Sequence, residues 1–311
     1  MASQELKISV VHGVQSYSER GMIRATAAQF LMNTESTLST FVAVDGDNLA
    51  IQDWPLEEGQ RMRGVVLLVH GLGEHAGRYD HVARRLNSWG FAVRGPDQHG
   101  HGESGGVRGG LPTAHRLLDD LADIVDSTRL RMHAKTPLIL LGHSMGGLVA
   151  ARFVSLAMRP VEALVLSSPA LDPGLSAFQK FLVSVLPKIA PDLGVGNGLD
   201  PSMISHDPAV VAAYRADKLV HDRISARLAR FIADDGPATV ALAPNWTVPT
   251  LLLYAGADKL VNPAGSRAFA AAAPKQIVTS HCFETLYHEI FNELDAEPVF
   301  AELKKWLDAR F

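Results

Sequence analysis

The stretch Leu138–Gly147, which reads LILLGHSMGG, decides the fold. Its first four residues form an apolar run bounded by glycine, which is typical of a buried parallel strand. Residues 142–146 then fit the pattern G-x-S-x-G, and a helix-like segment follows over 148–156. A strand, a tight turn and a helix are the context in which this pattern presents a reactive serine on a strained turn. We therefore predict that the hydroxyl of Ser144 is exposed at the carboxyl end of a central strand.

The pattern alone is only moderately specific, because on the order of one in ten glycine-rich chains of this length would contain it by chance. The rest of the chain supports the interpretation, since apolar runs alternate with helix-like segments and predict a mainly parallel sheet covered on both faces. The predicted strands are 65–69, 91–94, 138–141, 161–166, 250–254 and 276–281, preceded by a hairpin of 40–44 and 49–54. The predicted helices of this layer are 79–88, 111–133, 148–156, 263–273 and 299–311.

The alternation stops between residues 172 and 245. This segment contains helices, with apolar stripes over 178–189 and 224–232, and no convincing strand. We expect residues 172–245 to form a helical cap inserted into a core made of 38–171 and 246–311. Residues 1–37 are poorly patterned and are expected to form an N-terminal arm.

The composition excludes several classes of protein. The 311 residues carry a net charge of −4 with no long basic run, which argues against nucleic acid as a partner. Cys282 is the only cysteine, so no internal disulfide can form. No signal-peptide pattern and no apolar run near ~18 residues occurs. We expect a cytoplasmic protein, at most peripheral to a membrane.

Two further residues follow predicted strands in the order that a serine nucleophile requires. Asp258 comes after the second-last strand and His288 after the last one. Functional groups collect at the carboxyl ends of parallel strands, so the order Ser144, Asp258, His288 predicts a catalytic triad. His288 would take the proton of Ser144, and Asp258 would hold the imidazole tautomer. His281 competes for the role of base, but it lies at the end of the strand itself, so we prefer the loop residue.

An oxyanion formed at Ser144 needs hydrogen-bond donors. The N–H of Met145, directly after the nucleophile, is the first predicted donor. The second should come from the loop after the strand 65–69, where we predict the N–H of Leu72. Gly71 lets the backbone and a substrate approach each other closely.

A metal site is the alternative interpretation of the histidines near strand ends. His99 and His101 have a spacing that metal ligands can show. No further aspartate–histidine pair follows them, and the glycine-rich loop between them suits a tight turn. We predict structural roles for both histidines, with no metal site and no cofactor.

At these motifs the chain resembles the α/β-hydrolase superfamily and, within it, the monoacylglycerol lipase and lysophospholipase group. The resemblance covers roughly residues 38–311 and rests on 70–75 (HGLGEH) with Arg78-Tyr79, 96–104 (PDQHGHGES), 142–147 (GHSMGG), 168–171 (SPAL), 256–261 (GADKLV) and 287–289 (YHE). It implies a mostly parallel eight-stranded sheet flanked by helices, with a mobile helical cap. It also implies cleavage of single-chain acyl glycerols through a serine acyl-enzyme.

The resemblance also points to substrate contacts. Glu74 and Tyr214 match family positions near the polar head of the substrate. Phe181 lies in the apolar cap stripe, which could line an acyl tunnel, touch a lipid surface or simply pack on the core. Two departures limit the match: residues 1–37 match nothing, and Phe291 stands where mammalian members carry a histidine thought to help hold glycerol.

Three interpretations remain open. The leading one is a serine carboxylic ester hydrolase that cleaves monoacylglycerols, and the same triad would also serve a lysophospholipase or a general medium-chain carboxylesterase. A non-catalytic binding protein with a hydrolase fold is the alternative from another class, because a fold does not imply a function. The complete triad and oxyanion loop argue against it. The expected partner is a small lipid ester, with transient membrane or micelle contact through the cap, and no oligomeric state is predicted.

Overall fold

The structure, a computed structural model, describes residues 35–43 and 45–311. The expected N-terminal arm falls almost entirely outside these residues. Its last residue, Thr37, already belongs to the first strand.

The strands of the described chain form one large and one small sheet. In chain order they are β1 (Thr37–Val42), β2 (Asn48–Trp54), β3 (Gly64–Val69), β4 (Phe91–Pro96), β5 (Leu138–His143), β6 (Ala163–Ser167), β7 (Gly194–Gly196), β8 (Arg223–Ser225), β9 (Thr250–Ala255) and β10 (Val278–Phe283). The large sheet has eight strands in the order β1-β2-β4-β3-β5-β6-β9-β10. Strand β2 is antiparallel to both of its neighbours, and all other pairs are parallel. The predicted mostly parallel eight-stranded sheet is therefore confirmed.

The central strands are buried on both faces because their side chains alternate between two apolar cores. Val65, Leu67 and Val69 of β3 pack into one core. Val66 and Leu68 of the same strand pack into the other. A continuous apolar run is the sequence pattern that this arrangement requires, since neither face meets water.

Helices cover both faces of the sheet. They are α1 (Asp80–Ser88), α2 (Arg116–Arg131), α3 (Ser144–Ser155), α4 (Ala177–Ile189), α5 (Pro208–Ala216), α6 (Ala226–Leu242), α7 (Pro263–Ala272) and α8 (Glu297–Asp308). Side chains of α2, α3, α6 and α7 enter the core on one face, and those of α1 and α8 enter the core on the other. No helix within 35–43 and 45–311 has the length and apolarity needed to cross a bilayer.

Helix α2 begins at Arg116, later than the predicted start at Leu111. The carbonyl oxygens of Leu111 and Pro112 accept hydrogen bonds from the guanidinium of Arg227. These two carbonyls therefore bond to a side chain distant in sequence, while residues 112–115 form turns before the helix starts.

The segment between β6 and β9 leaves the large sheet and contains α4, α5 and α6. The expectation that it has no strand is wrong, because β7 and β8 pair antiparallel across Val195 and Ile224. Three-residue strands are too short to show an alternating pattern, and two of the three residues of β7 are glycines. Ile224 thus belongs to β8 and not to a helical stripe. Helix α6 starts after it, where the Ser225 hydroxyl accepts a hydrogen bond from the N–H of Leu228 (3.2 Å).

Candidate active site

Ser144 lies at the junction between β5 and α3 in a left-handed backbone conformation, with φ of 54°. Only a few per cent of residues other than glycine adopt this region, and its cost is tolerated mainly at functional sites. The flanking glycines are required by close backbone contacts. A Cβ on Gly146 would lie 2.1 Å from the carbonyl oxygen of Val69, and one on Gly142 would lie 2.5 Å from that of Gly146. The sequence G-x-S-x-G therefore permits the turn that presents Ser144.

Asp258 and His288 form a buried pair at the same end of the sheet. The Nδ1 of His288 lies 2.6 Å from Oδ2 of Asp258. The other carboxylate oxygen accepts hydrogen bonds from the N–H groups of Leu260 (2.9 Å) and Val261 (3.0 Å). Both carboxylate oxygens of Asp258 thus have a donor. These bonds fix the direction of the carboxylate and hence the orientation of the imidazole.

The electrostatics keep this pair ready for proton transfer. Burial acts to raise the pKa of Asp258, but the charge and hydrogen bond of His288 and the two backbone N–H groups hold it below its ordinary value. Burial acts to lower the pKa of His288, but the charge and hydrogen bond of Asp258 outweigh it and raise the pKa. With Nδ1–H donating to Asp258, the Nε2 atom of neutral His288 carries the lone pair that a general base needs.

The nucleophile turn and His288 are adjacent. The imidazole rings of His288 and His143, the residue before Ser144, have centroids 4.7 Å apart. Burial and the neighbouring His288 lower the pKa of His143 to about 3, so His143 stays neutral. Its Nδ1 lies 3.0 Å from the hydroxyl oxygen of Ser167. Among the described hydrogen bonds, none involves the Ser144 hydroxyl, so that hydroxyl is free to turn toward a base.

The predicted oxyanion donors lie beside Ser144. A Cβ on Gly71 would lie 3.2 Å from the Cβ of Ser144, so the loop after β3 packs directly against the nucleophile. The N–H of Met145 is in the first turn of α3 and has no partner within that helix. The N–H of Leu72 has no acceptor among the described residues. Both donors therefore remain available to a ligand, next to the positive end of the helix dipole.

An apolar cavity of about 290 Å³ opens from this point. Ser144, Leu72 and Met145 form its floor, and residues from α4, β7, β8 and α6 form most of its walls. The apolar wall residues from the inserted segment are Pro173, Leu175, Leu182, Val183, Leu186, Leu193, Val195, Leu199, Ile224, Ala226, Ala229 and Ile232. A cavity of this kind suits an unbranched apolar chain attached to a reactive group at Ser144.

Comparison with known proteins agrees with this geometry. The family described as serine aminopeptidase, S33, matches residues 60–295. The chain belongs to this family. A monoacylglycerol lipase of Mycolicibacterium smegmatis is 36% identical over 271 residues, which are 86% of this chain and 95% of that protein. The human monoglyceride lipase is 30% identical, with coverage of 88% and 91%. The crystal structure of Paleococcus ferrophilus monoacylglycerol lipase superposes with a TM-score of 0.73 at 34% identity, covering 89% of this chain and 99% of that one.

These matches confirm the predicted α/β-hydrolase superfamily and the monoacylglycerol lipase group within it. The family match over residues 60–295 covers the strands from β3 to β10 and the segment inserted between β6 and β9. The description of the S33 family names an aminopeptidase, whereas the relatives named above are lipases. The family therefore gives the serine hydrolase class, and the relatives give the narrower group.

In this S33 hydrolase, the side chain of Glu74 is buried and bonds to neighbouring residues, and it does not line the cavity. Its carboxylate accepts hydrogen bonds from the N–H of Gly71 (2.6 Å) and the hydroxyl of Tyr79 (2.6 Å) and forms an ion pair with Arg78. Burial acts to raise the pKa of Glu74, but Arg78 and its other neighbours lower it to about 2. Glu74 thereby fixes the loop that carries the Leu72 N–H.

Arg78 connects this loop to the one that carries His288. Its guanidinium donates two parallel hydrogen bonds to Glu289, at 2.7 and 2.8 Å. It also lies over the ring of Tyr214, 4.6 Å from the ring centroid. Tyr214 thus reaches the site through Arg78 and does not line the apolar cavity.

Three other residues lie away from the cavity. Phe181 on α4 is 60% exposed and is not among the lining residues. Phe291 is buried in the core beneath the sheet, with its ring 5.1 Å from that of Phe300. His281 is exposed on β10, where its ring lies 4.5 Å from that of Phe283. The loop histidines His99 and His101 make internal contacts, to Asp47 and to the carbonyl of His99 respectively.

Sequence reasoning gave no role to Arg78 or to Glu289. Arg78 stands four residues after Glu74, a spacing that brings opposite charges together on a helical turn. Glu289 follows His288 directly, but a pairing 211 residues away along the chain has no local signal.

Proposed function

We propose that this chain cleaves monoacylglycerols to a fatty acid and glycerol through an acyl-enzyme on Ser144. The observation that carries the proposal is the buried Asp258–His288 pair beside a strained serine turn that opens into an apolar cavity. The names of the relatives supply the substrate class.

In the first step, Nε2 of His288 takes the proton of the Ser144 hydroxyl while its oxygen attacks the ester carbonyl. The carbonyl oxygen becomes an oxyanion and accepts hydrogen bonds from the N–H groups of Leu72 and Met145. When the ester bond breaks, His288 donates its proton to the departing glycerol oxygen. The products of this step are free glycerol and an acyl ester of Ser144.

In the second step, a water molecule repeats the attack. His288 takes a proton from water, the hydroxide adds to the acyl carbonyl, and the same two N–H groups hold the oxyanion. Collapse of the intermediate breaks the bond to Ser144, whose oxygen regains the proton from His288. Asp258 stabilises the positive charge that His288 carries in both transition states.

Residues 172–245 serve as a cap that provides most of the acyl-binding wall. Phe181 (60%) and Ile189 (77%) are large apolar side chains of the same segment that are exposed and do not line the cavity. Exposed apolar groups of this size suit brief contact with a membrane or micelle, from which a monoacylglycerol must be extracted. The single cysteine, Cys282, suits a cytoplasmic place of action.

Glu74 and Tyr214 act at the polar end of the site by holding Arg78. Tyr214 stacks on the guanidinium, and Glu74 pairs with it. The glycerol head would leave toward this charged cluster, while the acyl chain occupies the apolar cavity.

Fatty acid release from 1-monoacylglycerol and from lysophosphatidylcholine of the same chain length tests the proposal. A strong preference for monoacylglycerol is expected, with no turnover by Ser144→Ala. Equal or reversed turnover would replace the monoacylglycerol assignment by a lysophospholipase or a broader carboxylesterase. Labelling with a fluorophosphonate distinguishes the enzyme from the remaining alternative, a binding protein without catalysis. Such a binding protein would leave Ser144 unlabelled.

A further inference from the structure

The loop that carries His288 is held to the inserted segment on both sides of the histidine, directly on one side and through Glu293 on the other. The N–H of Tyr287, just before it, donates to Oε1 of Glu293 at 2.6 Å. The N–H of Glu289, just after it, donates to the carbonyl oxygen of Ile204 at 2.8 Å. We call residues 204–206 of the inserted segment the strap, because Ile204, Ser205 and His206 all make contacts with the loop that carries His288.

Glu293 is the link between the strap and the histidine loop. Its Oε2 accepts a hydrogen bond from the N–H of His206 at 3.0 Å, and its Oε1 lies 2.9 Å from Nδ1 of His206. Only 1% of the Glu293 side chain is exposed, so these donors replace water around the carboxylate. A buried carboxylate with converging donors from two separate segments holds both segments at fixed distances.

Two further contacts join the same two segments. The hydroxyl of Ser205 donates to the carbonyl oxygen of Asn292 at 2.9 Å. The ring of His206 stacks on that of Tyr287, with centroids 3.6 Å apart. The strap and the loop 287–293 therefore share contacts at each end and in the middle. A displacement of one segment requires a displacement of the other.

We propose that Glu293 is a positioning residue that holds the backbone of Tyr287, and through it His288, to the strap, so that the inserted segment keeps the base in place. This inference rests on the proposed function, in which His288 is the base. A displacement of about 1 Å at a catalytic group is enough to cost on the order of 100-fold in rate. The acyl cavity lies among other residues, so substrate binding should not depend on Glu293.

Glu293→Gln and Glu293→Ala test the proposal, with Glu297→Gln as the matched control. Glu297 lies four residues further on and pairs with Arg85 in an exposed position, so it is a carboxylate of the same region without contact to the histidine loop. We expect kcat to fall by about 10- to 100-fold in Glu293→Gln, which keeps one acceptor oxygen, and further in Glu293→Ala. KM should stay within about twofold, and rates are normalised to the Ser144 labelled by a fluorophosphonate at completion. A kcat of Glu293→Gln equal to that of Glu297→Gln would overturn the proposal.

A spectroscopic signature distinguishes positioning from general destabilisation. The Nδ1 proton of His288, held by Asp258, should give a downfield proton resonance in the wild type, and the Glu293 variants should shift or broaden it. An unchanged resonance in a variant with reduced kcat would overturn the role in positioning. If both Glu293 variants fail to fold, Ser205→Ala gives the answer, since it removes the strap hydroxyl that lies 2.9 Å from the carbonyl oxygen of Asn292 and 3.4 Å from Oε2 of Glu293 and accepts from the N–H of Asp207. A several-fold loss of kcat with unchanged KM supports the proposal, and an unchanged kcat contradicts it.

Failure of this inference is distinguishable from failure of the proposed function. His288→Ala and Ser144→Ala are measured alongside the other variants. If these two variants keep activity, the proposed triad is wrong. If they lose activity while Glu293→Gln behaves as the wild type, only the role of Glu293 is wrong.

Discussion

The Nδ1 atom of His288 lies 2.6 Å from Oδ2 of Asp258, and the two side chains are only 5% and 3% exposed. Water therefore does not compete for the bond, and the imidazole has one fixed orientation and one tautomer. The same bond determines how the protein should respond to substitution and to pH.

Asp258→Asn should lower kcat by on the order of ten-thousand-fold with little change in KM. An amide in this position favours the wrong imidazole tautomer and no longer stabilises its positive charge. Steady-state hydrolysis of a monoacylglycerol measures the effect. Asp172→Asn, a substitution at a half-buried aspartate bonded to Asn262, is the control and should leave kcat unchanged. Loss of activity in Asp172→Asn together with normal activity in Asp258→Asn would contradict the assignment of Asp258.

The pH profile of kcat/KM should have an acid limb above pH ~6.5, the ordinary pKa of histidine. His288 must be neutral to accept a proton, and Asp258 raises its pKa, so activity is lost as pH falls through that raised value. The residual activity of Asp258→Asn should show this limb at lower pH, because the charge that raises the pKa is absent. His143 contributes no limb in this range, since its pKa is about 3. A wild-type midpoint below pH ~6 would be incompatible with this interpretation.

Arg78→Ala should lower the free energy of unfolding by about 3–5 kcal/mol, because Glu74 and Glu289 would remain buried without their counter-charge. Urea denaturation measures the loss. The pKa of Glu74 is lowered from 4.5 to about 2, so its contribution to stability is present above pH 4.5 and is lost as pH falls toward 2. The difference between variant and wild type should therefore narrow over that interval.

Arg85→Ala is the comparison for Arg78→Ala. Arg85 also pairs with a glutamate, Glu297, but the two side chains are 39% and 71% exposed. Exposed pairs contribute at most about 1 kcal/mol. Equal destabilisation by the two substitutions would mean that burial of the Arg78 cluster is unimportant.

Ala229→Phe should shorten the preferred acyl chain. Ala229 lies on α6 and lines the cavity, so a phenyl group there would occupy space meant for the chain. Ester substrates of increasing chain length should show an unchanged kcat/KM for short chains and a steep loss for long ones. Ala241→Phe places the same group on an exposed position of the same helix and should leave the profile unaltered. Equal losses of kcat/KM at all chain lengths would contradict the proposal that the cavity binds the acyl chain.

Replacing Phe181 and Ile189 together by serine should weaken binding to phospholipid vesicles while hydrolysis of a water-soluble short-chain ester continues at the normal rate. Both side chains are exposed on the inserted segment, where a lipid surface would bury them. Leu130→Ser is the matched control, since Leu130 is 89% exposed on α2. Vesicle sedimentation provides the measurement. Equal weakening of vesicle binding by Leu130→Ser would contradict the proposal that Phe181 and Ile189 contact the membrane.

Local patterns predict the parts of this site that depend on local structure. Ser144, its glycines and the Met145 N–H belong to one strand, turn and helix, so ten consecutive residues were enough to predict them. The chain order of Asp258 and His288 at strand ends supplied the pair, because parallel topology brings those ends together.

The remaining features depend on contacts between distant residues. Arg78 bonds to Glu289 across 211 positions, and His206 bonds to Glu293 across 87. Each of these residues alone has the pattern of a solvated loop charge. For Phe181 the helical apolar stripe left cavity lining, lipid contact and core packing open, and the structure leaves this side chain exposed and outside the cavity. The orientation of α4 is a tertiary property that periodicity does not contain.

The left-handed conformation of Ser144 has a consequence for directed evolution. Glycine adopts a φ of 54° without steric cost, so glycine at position 144 would remove the strain that Ser144 carries there. A selection for thermal stability alone would therefore favour loss of the nucleophile. Libraries of this protein that are screened for heat resistance need a simultaneous activity screen, because the most stable variants would otherwise lack the nucleophile and its activity.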